Sequence, residues 1–389
     1  MKWNGNNLFS FMKSSKGKFT CPYCYAEHSV TDCGLKCSYN IIGNTDKKCK
    51  FDIKKYDDQY GKDWIPFAYK KKCINCKEAA IQLYCPEVGE KIPIEFLSMK
   101  SLPIVLLGTS CSGKSVYFGV LVNEIQQKMN NSFNCSLSMI HFTKDMYDEL
   151  YYHPLYQARC MVAKTREVPP LMFPLRFMDT KNRIINQAIL SFYDTMGEIF
   201  VNDNMLHMDS RYITNAHGIF LFLDPLQVPN IRNKLMANGF NNLPNQNTEI
   251  YDVLSIIIDV IRRVKNIKGL IQIPLALVFT KIDILEQYNI LPADSCLREE
   301  SEHIKFGAFI RLDSEKTNIQ IQDLIDNLVD ADLMGYIRQF KQYSFFGVSS
   351  LGGNPNGVKI DSKGIRPRRV LDPLLWLLAE KGYIKTLKK

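Results

Sequence analysis

The chain has 389 residues, 46% of them hydrophobic, with 49 basic and 40 acidic side chains for a net charge of +9. That length implies two or three domains, and the apolar content is enough for a large core, which excludes a disordered chain. No apolar run reaches the roughly 18 residues needed to span a bilayer, and the opening MKWNGNNLFSFMKSS lacks the apolar centre of a secretion signal, so the expected compartment is cytoplasmic.

Residues 1–95 read as a cysteine-rich module. Up to residue 100 the chain carries 17 lysines, no arginine and 11 acidic residues, a net of +6. Such a front end could meet nucleic acid or an acidic partner, although a solvated surface also accounts for it. Eight of the twelve cysteines lie here: Cys21, Cys24, Cys33, Cys37, Cys49, Cys73, Cys76 and Cys85. In a reducing compartment, clustered cysteines point to a metal rather than to disulfides. Cys21-x2-Cys24-x8-Cys33 and Cys73-x2-Cys76-x8-Cys85 share one spacing, and Cys37 and Cys49 can complete two four-thiolate sites, so one or two Zn²⁺ ions are expected. Sequential grouping places Cys21, Cys24, Cys33 and Cys37 on one ion and Cys49, Cys73, Cys76 and Cys85 on the other. The alternative is an interleaved arrangement with both CxxC turns around one ion. Cys85-Pro86-Glu87-Val88 reads as a CPxC turn whose last cysteine has become Val88, which leaves one site incomplete. The metal would replace a core this polar segment cannot build; a recognition role is the alternative.

Residues 96–389 read as the second domain. The apolar run Pro103–Leu107 predicts a buried strand, and Ser115 to Met129 carries apolar residues at helical spacing. Between them stands Gly108-Thr109-Ser110-Cys111-Ser112-Gly113-Lys114-Ser115, a GxxxxGK motif completed by serine. Its two glycines let successive amides turn inward to cradle phosphate oxygens. Lys114 would reach the β and γ phosphates and Ser115 would offer a hydroxyl to Mg²⁺. The helix that carries Val116 would add its positive end. Cys111 could be made oxidisable by the local field, but a small neutral filler is the simpler role.

Further on, Ala188–Tyr193 is an apolar strand that delivers Asp194 to its carboxyl end, ahead of Thr195-Met196-Gly197-Glu198. Asp194 is placed to hold Mg²⁺, usually through a water, and the Gly197 amide to meet the γ-phosphate. Ile219–Asp224 predicts another buried parallel strand, and Thr248–Lys265 a helix with one apolar face. Leu275–Phe279 then leads into Thr280-Lys281-Ile282-Asp283. The Asp283 carboxylate can accept from the guanine ring N–H and exocyclic amine, a pair adenine does not present, and the Lys281 stem can lie over the base. Phe345–Val348 is a short strand entering Ser349-Ser350-Leu351, whose backbone could touch the guanine carbonyl.

In this order GTSCSGKS, DTMGE, TKID and SSL resemble the P-loop GTPases of the Ras-like and translation-factor class, over roughly residues 100 to 389. Thr280 stands where the family usually carries asparagine, and its hydroxyl replaces only part of that amide. The cysteine module, DTMGE and a closing helix over Arg368–Leu378 also look like bacterial GTPases of conflict or stress systems. The resemblance implies an α/β fold, a mainly parallel sheet flanked by helices, preceded by a zinc ribbon. It implies GTP and GDP as ligands and Mg²⁺ as cofactor. Glu198 takes the place of the glutamine that orients the attacking water, which implies slow hydrolysis, and Thr165 is the candidate switch threonine. Lys114, Thr165, Gly197 and Glu198 would then carry catalysis. Gly108 to Val116, Asp194, Thr280, Lys281, Asp283 and Ser349 to Leu351 would hold nucleotide and Mg²⁺.

Residues 130–170 and 284–342 exceed a minimal GTPase and read as partner surfaces or lids, so a protein partner is expected. The oligomeric state is left open. His141, His153, His207 and His217 stand alone, outside any ligand spacing, and read as core or surface residues. The functional expectation is a GTP-dependent switch. Its alternatives are a nucleotide-binding scaffold without turnover and a zinc-ribbon regulator that binds nucleic acid.

Overall fold

In the structure, a computed structural model, the described residues are 18–37, 53–60, 72–77, 81–109, 111–163, 169–194, 211–240, 243, 250–328 and 332–389. Cys49, Ser110, Thr165, Gly197 and Glu198 lie outside them. The chain divides into two compact units, Met1–Ser101 and Leu102–Lys389. The turn Ile94–Leu97 packs against the first strand of the first unit, which is why that unit runs a few residues past position 95.

The first unit is built from short pieces. β1 (Lys18–Thr20) and β2 (Glu27–Ser29) form an antiparallel hairpin with Phe19 opposite His28. Ser29 then caps a single turn, Val30–Asp32, through a reciprocal capping box with Asp32. β3 (Gly34–Cys37) pairs antiparallel with β4 (Ile81–Tyr84), placing Cys37 opposite Ile81. The intervening helix α1 (Ile53–Tyr60) sends Tyr56 inward, where its hydroxyl accepts from the Ile74 amide at 2.7 Å.

The second unit has an α/β architecture around β5 (Lys100–Gly108), β6 (Cys135–Leu137), β7 (Leu171–Met178), β8 (Ile184–Asp194), β9 (Gly218–Leu223), β10 (Leu275–Phe279) and β12 (Tyr343–Gly347). These seven make one sheet in the order β12-β10-β9-β5-β8-β7-β6. β5, β9, β10 and β12 pair in parallel, while β6, β7 and β8 form an antiparallel meander. β9 and β10 are buried at every position, as continuous apolar runs must be when helices cover both faces. β6 was not foreseen; it adds an edge strand through Cys135 opposite Phe177.

Helices flank this sheet. α2 (Lys114–Glu124) follows β5 and continues as a wider π-turn over Ile125–Met129. α3 (His141–Tyr147) likewise runs on through Asp148–Gln157, which contains Pro154. The described residues of the insertion around 130–170 are therefore mainly one long, loosened helix with an edge strand. Proline cannot donate to a regular ladder, so wider turns accommodate it. Tyr147 donates its hydroxyl to the Gly119 carbonyl at 2.7 Å and the Tyr151 ring meets Phe118 at 4.9 Å, fixing α3 and its continuation to α2, while Phe118 also meets Phe192 of β8 at 5.2 Å. α4 (Pro229–Ala237) follows β9. α5 (Ile250–Lys265) buries Val253, Leu254, Ile257, Ile258 and Ile261, each contributing about 1.5–3 kcal/mol by leaving water. Among the described residues no helix is long and apolar enough to cross a membrane.

The chain beyond β10 holds α6 (Ile282–Gln287), α7 (Glu302–Phe306), β11 (Phe309–Ile310), α8 (Arg311–Leu328), α9 (Asp332–Ile337), α10 (Asp372–Glu380) and β13 (Thr386–Leu387), the last pairing in parallel with β11. The closing helix begins at Asp372 rather than Arg368. Arg369 sits at φ 57°, outside helical space, and Pro373 occupies the first turn. Arg369 is buried and bridges two elements, donating to both Asp313 oxygens on α8 and to Asp372 on α10, each at 3.0 Å. Burial alone would raise the Asp313 carboxyl, but the Arg369 contacts outweigh it and hold it below its ordinary value. Asp313→Asn is expected to cost about 3 kcal/mol of unfolding free energy at pH 7. With the folded pKa depressed, this stability is present above the unfolded pKa and lost as pH falls through the folded one. Urea midpoints of parent and variant should therefore converge only in that acid range.

Candidate nucleotide site and thiol clusters

The phosphate-type loop leaves the sheet at Gly108, whose φ is 151° and where a Cβ would stand 2.7 Å from the Phe222 carbonyl oxygen of β9. Only glycine fits that approach. Cys111 and Gly113 follow at φ 62° and 89° and flank the fully buried Ser112, whose hydroxyl has no partner among the described residues. Lys114 folds across the loop, its ammonium donating to the carbonyls of Gly108 at 3.0 Å and Thr109 at 3.1 Å. Gly113 offers α2 no side-chain cap, an arrangement that suits an anion at the positive end of the helix. The Val116 side chain packs into the core, so only its backbone faces the loop chemistry. Asp194 is the last residue of β8, the sheet neighbour of β5.

The TKID segment meets this loop directly. The Thr280 hydroxyl lies 3.0 Å from the Ser112 carbonyl and 3.3 Å from that of Leu223. Its one proton serves one acceptor at a time, the nearer being Ser112. Lys281, in left-handed backbone at φ 53°, donates to the Cys111 carbonyl at 3.2 Å and to Asp224 at 2.6 Å. Asp224 ends the run that contains β9, and its other oxygen accepts the Leu226 amide. Its role was not read from the sequence; the signal was a carboxylate at the tip of a wholly apolar strand.

Asp283 lies on the first turn of α6, with the Ser349 hydroxyl close enough to act on its carboxyl. Burial pushes its carboxyl above the ordinary 3.8, opposed by Ser349 and by the nearby charges of Arg368 and Lys281. Ser349 also accepts the Gly352 amide at 3.0 Å, and its backbone pairs with that of Arg368 in both directions. Ser350 and Leu351 are half-buried beside it. The structure thus joins the TKID and SSL loops to each other and to the phosphate-type loop.

In the first unit the thiols form two clusters. Cys21, Cys24, His28 and Cys85 present ligand atoms within 4.8 Å of one another, and so do Cys37, Cys73 and Cys76. Each cluster draws on both sequential groups, and neither joins the two CxxC turns, so neither expected grouping is the one these thiols form. Cys33 is buried but belongs to neither cluster; its thiol faces the Ser29 carbonyl at 3.7 Å, and burial pushes it up to about 12. The hydrogen bond from Cys21 lowers Cys24 to about 5, while Cys21 itself moves up. His28 was missed, although Cys24-x3-His28 is a ligand spacing legible in the sequence. Both clusters could hold a metal, and their soft thiol donors suit zinc.

No protein-family profile matches the chain. It is 24% identical over 325 residues to the "Putative ESX-1 scaffolding and assembly protein SaeC" of Mycolicibacterium smegmatis, covering 77% of this chain and 80% of that one. Among solved structures it aligns with the S. cerevisiae Ski7 GTPase-like domain bound to GTP at 11% identity and a TM-score of 0.31. That alignment covers 72% of this chain and about half, 50%, of the other. The functional reading rests on the arrangement of the loops and not on this distant likeness.

Thr280→Val removes the side-chain donor from the buried Ser112 carbonyl and should cost about 1 kcal/mol of stability. Thr280→Asn, which restores a donor, should recover most of it in the same urea titration.

Proposed function

We propose that residues 102–389 bind a guanine nucleoside triphosphate with Mg²⁺, hydrolyse it slowly, and act as a nucleotide-dependent switch on a protein partner. The observation that supports this reading is the direct bonding of Thr280 to Ser112 and of Lys281 to Cys111, which brings the candidate phosphate loop beside the segment that carries Asp283. The buried Ser112 hydroxyl without a partner fits a ligand oxygen at that position. Lys114, already beside the loop carbonyls, would turn to the β and γ phosphates and stabilise charge as the terminal phosphoryl leaves. Gly108 to Val116 would line the phosphates, Ser110 and Cys111 included. Ser115 and Asp194 would hold Mg²⁺, which when bound neutralises phosphate charge. Asp283, aligned by Ser349, would select guanine, with Lys281 and Thr280 bracing it and Ser350 and Leu351 beside the base. Thr165 and Gly197 to Glu198 would order on the γ-phosphate. In the first unit, zinc at the two thiol clusters would serve structure.

A second reading, nucleotide binding as part of a scaffold without turnover, is favoured by the name of the mycobacterial relative. Phosphate release under saturating GTP separates the two. Slow release by the parent, abolished in Lys114→Ala, supports the switch; GTP retention with no release supports the scaffold. Lys114→Ala should also weaken GTP binding at least about tenfold, the worth of one charged hydrogen bond. Asp283→Asn should lose guanine affinity about 100-fold and gain affinity for xanthine nucleotides. Unchanged guanine preference in that variant would remove the base assignment. The raised Asp283 pKa means that guanine selectivity should fade on acidification at a pH above the ordinary carboxylate value of 3.8. Glu198→Gln should hydrolyse GTP at least as fast as the parent, and complete loss of turnover would instead make Glu198 catalytic.

A further inference from the structure

Three turns in the first unit share one backbone. The Tyr25 amide donates to the Cys21 carbonyl at 2.9 Å, Lys77 to Cys73 at 2.7 Å and Gly89 to Cys85 at 3.0 Å. Each donor stands in the left-handed region, at φ 57°, 59° and 72°. The first and third turns match further, because the Cys21 amide donates to Ala26 and the Cys85 amide to Glu90, both five residues on. Cys21 therefore corresponds to Cys85, and Cys24 corresponds to Val88. Val88 is 38% exposed and brings no ligand atom.

We propose that Cys21, Cys24, His28 and Cys85 form a Cys₃His zinc site, with His28 supplying the fourth ligand that Val88 cannot. This names the ligand set of the first cluster and rests on the reading of the module as zinc-binding. His28 reaches the cluster from β2, buried and edge-on to Phe19, its partner in register on β1, at 6.3 Å. Its Nε2 lies 3.0 Å from the Cys24 sulfur and 3.6 Å from that of Cys85, and the two sulfurs are 3.5 Å apart. A tetrahedral zinc ion with its usual bond lengths needs ligand separations of about 3.8 Å between sulfurs and about 3.6 Å from sulfur to nitrogen. The His28, Cys24 and Cys85 atoms are within about 0.6 Å of those separations, and the Cys21 sulfur lies within 4.8 Å of all three. Three thiolates and a neutral imidazole also leave one net negative charge around Zn²⁺, against two for four thiolates, which lowers the cost of burying the site. Cys33, third in the repeated spacing, is a buried thiol outside the site. The ion would tie Cys21 to Cys85 across most of the unit, closing a loop that the sparse core leaves weakly held.

Native mass spectrometry of the full chain decides the matter by metal count. His28→Ala should retain one zinc ion fewer than the parent, while Cys33→Ser and Val88→Ala retain the parent's number. His28→Cys should keep the full number. After exchange to Co²⁺ it should also gain thiolate-to-metal absorption over the parent, which decides the point if His28→Ala fails to fold. A full zinc count in His28→Ala together with a lost ion in Cys33→Ser would overturn the assignment and leave the module zinc-binding. A His28→Cys protein with no added absorption would overturn it too. A parent without zinc would remove the module reading and this inference together.

Discussion

The second unit depends on the contact between the end of β10 and the loop after β5. Thr280 and Lys281 both bond to main-chain carbonyls of that loop, at Ser112 and Cys111, about 170 residues earlier in the chain. Because the acceptors are backbone groups, the bonds fix the path of the loop and leave the identity of its side chains free. Asp224 is what makes the brace rigid. A carboxylate with no exposed surface must keep its cation, since an unpaired buried charge costs several kcal/mol. Lys281 is thereby held over the loop, and Asp283, two residues on, is presented to whatever the cleft admits.

This dependence explains why parts of the architecture were legible and others were not. Strands β5, β9 and β10 announced themselves because burial on both faces demands uninterrupted apolar runs, and α5 because a one-sided stripe is the mark of a helix on a sheet. The loop residues were legible because glycines at Gly108 and Gly113 answer to backbone geometry alone. What the chain concealed were pairings without a side-chain period. β6 is three residues long, α3 is disguised by Pro154, and the start of α10 turns on the left-handed Arg369, whose ion pairs lie on other elements. Asp224 was visible as a residue, but its role required knowing which strand tips meet, whereas His28 stood in a legible spacing after Cys24.

In the first unit the repeat Cys-x2-Cys-x8-Cys predicts two alike sites, and the fold instead crosses them. The first cluster takes two cysteines from the first repeat and one from the second, and the second cluster takes Cys73 and Cys76 with Cys37. Crossing has a physical advantage for a segment poor in apolar residues. Ligands adjacent in sequence close small loops and restrain little, whereas ligands some 60 residues apart restrict the unfolded chain far more. A module that cannot bury enough surface to offset its own ordering is better served by the second kind.

The Ser349–Leu351 loop after β12 is held from behind by a second set of backbone bonds. Ser349 exchanges hydrogen bonds with Arg368, and Leu351 accepts from Arg366, so the strand end after β12 is doubled by the chain returning from residue 360. That same returning segment reaches the insertion: Met161 donates to Val358, and Ile360 donates to Arg159. Residues 159–161 belong to the segment that follows the long helix of that insertion. That segment and the loop beside Asp283 are thus tied to one stretch of main chain, Val358–Arg368. Gly364 within it, at φ 77°, and Gly357 just before it, at φ 60°, stand in turns that ordinary residues enter only with strain, so these two positions set its path.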